Sequence, residues 1–466
     1  MNPTLSKRTA VRHGGVLVQR AAKAAVLVVA ALTSACSFTR FGDLEEDTPV
    51  VLLKKPGKLS SFGVSLSSFT RGERTDLLVG GAAGASPAAV FSLGSAENPG
   101  VDAKDTGYCD GGDDRVCYLG TSTAPMLNAD IEGDTSREFC FALGIGSTPG
   151  LGNGIAVRCA DHTEFVLPVP DNVKSELVDP AVLSDEPEHV ALASDGLERP
   201  TLLVGAASER FSWAYAPGGR APMELVPPVR DESFGTSVAV VKLTSSFIFA
   251  VAAPDQGHVW LFRGSAPDIS AGPIGLVGCL GTVPGLGRAL STGRINADDQ
   301  DDLVISDATN VSVFDGARLG QLDFTSSSEC SIGSLPQGAL LASFTCGSTG
   351  DLSGCANSDF GASLAIGDLD GDGDGEVVVG APHMTARDSE EGGAVLVYDV
   401  EGANPHALGD AKFLASAEEG DQLGSSVATP RIGDRHIIAA GAPGGGKTAL
   451  FYCSGLRGAR GGSRCR

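Results

Sequence analysis

The chain has 466 residues, of which 42% are hydrophobic and 6% aromatic, so it can bury a core built mostly of Val, Leu, Ile and Ala. Its 63 glycines and 25 prolines leave little room for long helices and favour many short strands joined by turns. A formal charge of −23 excludes nucleic acid and anionic membrane surfaces as partners, because both would be repelled, and makes cations the natural counterpart.

The N-terminus reads as a targeting segment. Lys7, Arg8, Arg12, Arg20 and Lys23 precede the apolar run AAVLVVAAL at 24–32, which is too short to span a bilayer comfortably, and small residues lead on to Cys36. This pattern resembles the bacterial lipoprotein signal, although Thr33 stands where that signal usually has Leu. The resemblance implies that 1–35 is a signal peptide, that Cys36 is lipidated, and that 36–49 is a flexible tether. It also implies a place in the cell envelope, as an outer-membrane lipoprotein given Ser37, with the lipid as the sole membrane contact. An ordinary cleaved signal peptide is the alternative. Without Cys36, ten cysteines remain, an even set that suits the disulfides of an exported protein. Pairing of sequence neighbours is the simplest arrangement, though spacing alone does not fix it.

Self-similarity organises residues 50–455. Copies open at Phe62 (FGVSLSSFTRGERTDLLVGGA), Phe234 (FGTSVAVVKLTSSFIFAVAAP), Leu286 (LGRALSTGRINADDQDDLVISDA), Phe360 (FGASLAIGDLDGDGDGEVVVGAP) and Leu423 (LGSSVATPRIGDRHIIAAGAP). Two degraded copies keep NADIEGDTSREFCFALG from Asn128 and RPTLLVGAA from Arg199, which makes seven. Polar and apolar residues alternate with period two, and Gly or Pro marks the bends, so each copy predicts a small antiparallel sheet of about four strands. Such sheets close radially into a propeller, because the units exceed the ~20–45 residues usual for a linear solenoid. Each outer strand comes from the segment before the next opening, as in AKFLAS at 411–416. The run PVVLLKK at 49–55 is therefore predicted to complete the last sheet and remove its open edge. Residues 456–466 form a Gly/Arg-rich tail, and the inserts at 107–118 and 321–358 read as disulfide-pinned loops.

The Phe-Gly opening, the Gly-Ala-Pro closing and the acidic loop between them resemble the FG-GAP repeats of the integrin α-subunit. That resemblance implies an all-β, seven-bladed β-propeller of FG-GAP-like repeats, with calcium in some blades and partners bound on the opposite face.

Asp368, Asp370, Asp372, Asp374 and Glu376 follow one another at two-residue spacing, which lets a tight loop offer several oxygens to a hard cation such as Ca²⁺. By analogy with such loops Asp374 contributes its carbonyl and Glu376 the ninth-position carboxylate. An EF-hand is excluded, since Val379 stands where it needs Glu. A solvated acidic turn is the alternative, but five carboxylates so close would repel one another. The second copy carries the same spacing in Asp130, Glu132, Asp134, Ser136 and Glu138. The fifth carries Asn296, Asp298, Gln300 and Asp302, but Arg294 holds the first place, which disfavours a cation.

GAPGGGKT at 441–448 matches the phosphate-binding loop pattern, but a β-patterned run follows where a helix is required, so no nucleotide partner is expected. The seven histidines are scattered, and His258 and His383 read as ordinary loop residues. The sequence thus predicts a binding or adhesion module for a protein or glycan, not an enzyme. A propeller-scaffold hydrolase or lyase and a structural subunit of an envelope complex are the alternatives.

Overall fold

Val238–Lys242, Ser246–Ala253, His258–Ser265 and Gly275–Leu280 form one four-stranded antiparallel sheet, and the same order recurs along the chain. The computed structural model describes 50–54, 61–71, 74–80, 87–93, short strands between 101 and 194, and most of 201–452. The expected signal peptide, Cys36 and the tether lie outside the described residues, as do Asp130, Glu132, Asp134, Ser136, Glu138, Asp370 and the tail. Among the described residues seven sheets have four or more strands, and a two-stranded ribbon joins Arg431–Ile432 to Arg435–His436.

The inner strands succeed one another around a β-propeller, Val238–Lys242 beside Leu290–Gly293, then Ser363–Gly367, Ser426–Ala428 and Ser65–Arg71. The core is correspondingly divided into wedges between successive sheets. Along Ser246–Ala253, Phe247, Phe249 and Val251 enter the wedge towards the third sheet, while Ile248, Ala250 and Ala252 enter the one towards the fifth. Burial on both faces explains why these second strands read as continuous apolar runs although their side chains alternate.

The two halves of the repeat motif turn out to join neighbouring sheets. Phe360 is buried at the opening of the sixth sheet, and Ser363 Oγ, three residues on, donates to the carbonyl of Gly424 at the opening of the seventh (2.8 Å). Ser426 repeats the contact to Gly63 O (2.7 Å), and Ser237 to Gly287 O (2.5 Å). Gly380 of the closing Gly-Ala-Pro must lack a side chain, because a Cβ there would overlap Gly424 O. In the fifth sheet Ala289 replaces the serine. Ser306, at the place of the closing glycine, donates to Gly361 O instead (2.7 Å).

The ring closes as the sequence predicts: Val50–Lys54 lies antiparallel on Lys447–Phe451, with Val50 opposite Phe451 and Lys54 opposite Lys447. Lys412–Leu414 likewise supplies the outer strand of the sixth sheet. The inserts differ from expectation. Leu340–Thr345, within the stretch read as a loop, is the outer strand of the fifth sheet, and Cys117–Thr121 adds a fifth strand to the first. An outer strand buries alternate residues only, so LLASFT carries a weak apolar signal. Neighbour pairing of cysteines holds at Cys279–Cys330, a disulfide that ties the fifth repeat's insert to the outer strand of the fourth sheet. No described helix is long and apolar enough to cross a membrane.

Candidate metal centre

The acidic loop joins Ser363–Gly367 to Glu376–Ala381, at the end of the sheet opposite the Phe-Gly and Gly-Ala-Pro turns. Gly371 and Gly373 are left-handed (φ 83° and 99°), which bends the chain back on itself. Asp368 accepts from the backbone N–H groups of Gly371 (2.5 Å) and Gly373 (3.0 Å), and Asp372 accepts from Asp374 N–H (3.0 Å). Glu376 is only 2% exposed, and its Oε2 accepts from Leu369 N–H at 2.6 Å, closing the loop at its base.

Oxygen donors alone, on a tightly bent loop, suit a hard divalent cation, so the residues present fit calcium chemically. The side chains nevertheless point partly at the loop's own amides. Among the described residues no three His, Cys, Asp or Glu side chains converge to hold a metal, and Asp370 lies outside them.

The neighbouring repeats pack directly on this loop. Gly375 N–H donates to Arg294 O of the fifth repeat (2.7 Å), and His436 N–H of the seventh donates to Asp368 O (2.9 Å). Burial holds the His436 imidazole below its ordinary pKa. Arg435, beside it, lies over Gly371. Nothing in the sequence pattern of the seventh repeat linked Arg435 to this loop.

The fifth-repeat loop has the same length but another internal wiring. Asn296 Oδ1 accepts from Asp298 N–H (3.0 Å) and Asp298 Oδ1 from Gln300 N–H (2.9 Å), so successive side chains brace the turn. Arg294, at the first position, pairs with Asp299 of its own loop (2.9 Å). Asp302, fully buried, accepts from the amides of Ile295 (3.1 Å), Asn296 (3.2 Å) and Gly316 (3.0 Å). Burial outweighs those three donors and pushes its pKa up to about 7.

At the opposite end, the phosphate-loop look-alike is a hairpin between Ile438–Ala442 and Lys447–Phe451, with no helix after it. Lys447 Nζ pairs with the buried Asp421 (2.7 Å) and with Glu418 (3.4 Å). Asp231 plays the part of Asp421 in the fourth repeat, accepting from Trp260 Nε1 (2.6 Å) and meeting His258 Nδ1 (2.9 Å). His383 faces Asp359 (3.5 Å), which Arg288 also bonds (3.0 Å). Both histidines thus lie against carboxylates near turns, contacts their isolation in sequence did not reveal.

The FG-GAP repeat family model matches residues 360–398, the sixth repeat with its acidic loop. Integrin alpha-7 of Homo sapiens is 37% identical over 106 residues, and that match covers 21% of this chain and 9% of the integrin. The Rattus norvegicus and Mus musculus proteins of the same name match to the same extent, so the chain spans about a tenth of these relatives' length. Among solved structures, selenomethionine-substituted virginiamycin B lyase from Staphylococcus aureus aligns with a TM-score of 0.47 at 9% identity, over 86% of this chain and 99% of that one. On the family match at 360–398 and the likeness to integrin alpha-7, this propeller carries an FG-GAP repeat and is integrin-α-like over that part of its length.

Proposed function

We propose that this protein is an extracytoplasmic binding module that holds calcium in the 368–376 loop and binds a protein or glycan partner, without catalysis. Lipidation of Cys36 would keep it at the cell envelope. The sixth-repeat loop carries the reading: an FG-GAP repeat brings together an oxygen-only donor set and a buried Glu376 at its base. Asp368, Asp370 and Asp372 would offer side-chain oxygens, Asp374 its carbonyl, and Glu376 its carboxylate. A cation held there would stiffen the loop and neutralise part of its charge. The second-repeat residues Asp130, Glu132, Asp134, Ser136 and Glu138 would form a further site. The turns at the opposite end of the sheets, around His258, His383 and Lys447, are the surface offered to a partner, each of these side chains set against a carboxylate, Asp231, Asp359 and Asp421 respectively.

The test is calorimetry with calcium, followed by capture of envelope proteins and polysaccharides on the purified protein in calcium and in chelator. Uptake of calcium with a ligand retained only in calcium supports the reading. No uptake at ten millimolar calcium refutes the metal, and turnover of a captured glycan or peptide refutes the non-catalytic role.

A further inference from the structure

We propose that Arg435, supplied by the seventh repeat, is the resident counter-ion of the sixth repeat's acidic loop and competes with the divalent cation for it. This rests on the calcium reading of that loop and says what sets its affinity.

A side-chain carbon built on Gly371 would lie 3.2 Å from Arg435 Nε and 3.4 Å from both Cζ and Nη2, so the guanidinium lies flat on the middle of the loop. Five carboxylates occupy nine residues there, and a cation of the chain itself packs on a glycine that stands among them in the sequence. Its placement is built rather than incidental. The ribbon that carries Arg435 pairs Ile432 with Arg435 and Arg431 with His436, and Ile432 and Ile437 are buried in the wedge towards the first sheet. His436 N–H holds Asp368 O at 2.9 Å, and Thr429 Oγ1 donates to Ile366 O at 2.7 Å. Thr75 of the first sheet donates its hydroxyl to Arg431 O. With the backbone held from both sides, only side-chain rotation takes the guanidinium off the loop.

A guanidinium stays charged at every physiological pH, and its forked donors match carboxylates. It therefore relieves the loop's self-repulsion when no metal is bound, and it repels a divalent cation that enters. The fifth repeat uses the same device within one loop, where Arg294 meets Asp299. In the sixth repeat the arginine comes from the neighbouring repeat, so cation binding at one repeat is coupled to the packing of the next.

Removing the charge should have two effects of opposite sign. By Coulomb's law in a water-like medium, one positive charge roughly 7 Å from a divalent ion is worth about tenfold in affinity. Calorimetry and melting with calcium chloride as the probe should compare wild type, Arg435→Gln, Arg435→Lys, Arg431→Gln and the double variant Arg435→Gln/Asp368→Ala. Arg435→Gln is expected to bind calcium about tenfold more tightly yet melt lower in chelator. Arg435→Lys should stay near wild type, and the exposed Arg431→Gln should change affinity little. The double variant should lose the tightened site, which assigns it to this loop. If Arg435→Gln does not fold in chelator, Arg435→Met, which keeps the aliphatic stem, repeats the comparison. Calcium binding by wild type with unchanged affinity in Arg435→Gln overturns the competition and leaves the metal reading standing. Binding by Arg435→Gln but not by wild type supports the competition in its strongest form. Failure of both to bind overturns the metal reading and the competition with it.

Discussion

The fifth- and sixth-repeat loops have the same length and place a buried carboxylate, Asp302 or Glu376, at the same point, yet they differ in what surrounds it. Asp302 accepts three backbone N–H groups and closes a loop already braced by Asn296 and Asp298, while Arg294 fills the first position. Glu376 accepts from Leu369 N–H, the other acidic residues of the loop alternate with glycines along the sequence, and Arg435 packs on Gly371. The difference separates two tasks that one sequence spacing conflates. The ninth-position carboxylate ties the loop to its sheet in both repeats, and the earlier positions decide whether the loop satisfies itself or calls for a cation.

The largest effect expected from this contrast is the loss of Asp302. Asp302→Ala leaves three amides without their acceptor in a buried site, at about 1–3 kcal/mol each before relaxation, so urea denaturation should show a loss of several kcal/mol. A loss within error of zero would show that the fifth loop does not depend on this acceptor.

Calcium should stabilise the protein by about 2.7 kcal/mol at a hundred times Kd, and Asp368→Ala should remove most of that gain while costing little in chelator. A thermal shift in calcium that survives Asp368→Ala would move the site elsewhere. Conversely, Arg294→Asp should give the fifth loop an acidic first position and add one calorimetric calcium site. No added site would mean that the bracing by Asn296 and Asp298, rather than the arginine, excludes the cation.

The contrast also has a pH signature. Asp302 titrates at about 7 in the folded protein against 3.8 ordinarily, so between those values the folded state holds a proton that the unfolded state has released. Its contribution to stability is full below about pH 4 and is lost as pH rises through about 7. In chelator, urea midpoints should therefore fall across that window, and Asp302→Asn should flatten the trend. Asp307, held below its ordinary pKa by bonds from Asn310 and Thr309, contributes in the opposite sense, with stability lost only as pH falls into the acid range. The smallest effect is at the joints between sheets: Ser363→Ala should cost about 1 kcal/mol, the worth of one hydrogen bond to Gly424 O. A cost near zero would show that the Gly380 and Gly424 backbones hold the joint unaided.

Much of this molecule could be read without coordinates, because a repeat states its own rule several times over. The small antiparallel sheets, the outer strand at 412–414 and the closing strand Val50–Lys54 followed from period-two alternation and the recurring openings. The serine three residues after each opening was visible in FGVS, FGTS, FGAS and LGSS, but its purpose was not. Only the packing of one sheet on the next shows which carbonyl it meets. Leu340–Thr345 escaped notice because an outer strand, buried on alternate residues only, carries little apolar signal.

By itself the sequence determined the unit, the number of times it recurs and the spacing of the acidic side chains, since these depend on local alternation and turn chemistry. The tertiary structure decided where charges meet. Asp368 and His436 are 68 positions apart, and Arg435 reaches the same loop only because closing the ring stacks the seventh repeat against the sixth. Burial is likewise a property of the assembled wedge: it makes Asp302 a structural carboxylate with a pKa pushed up to about 7. Neither the distance between two repeats nor the dielectric around a carboxylate is written in the order of residues within one of them.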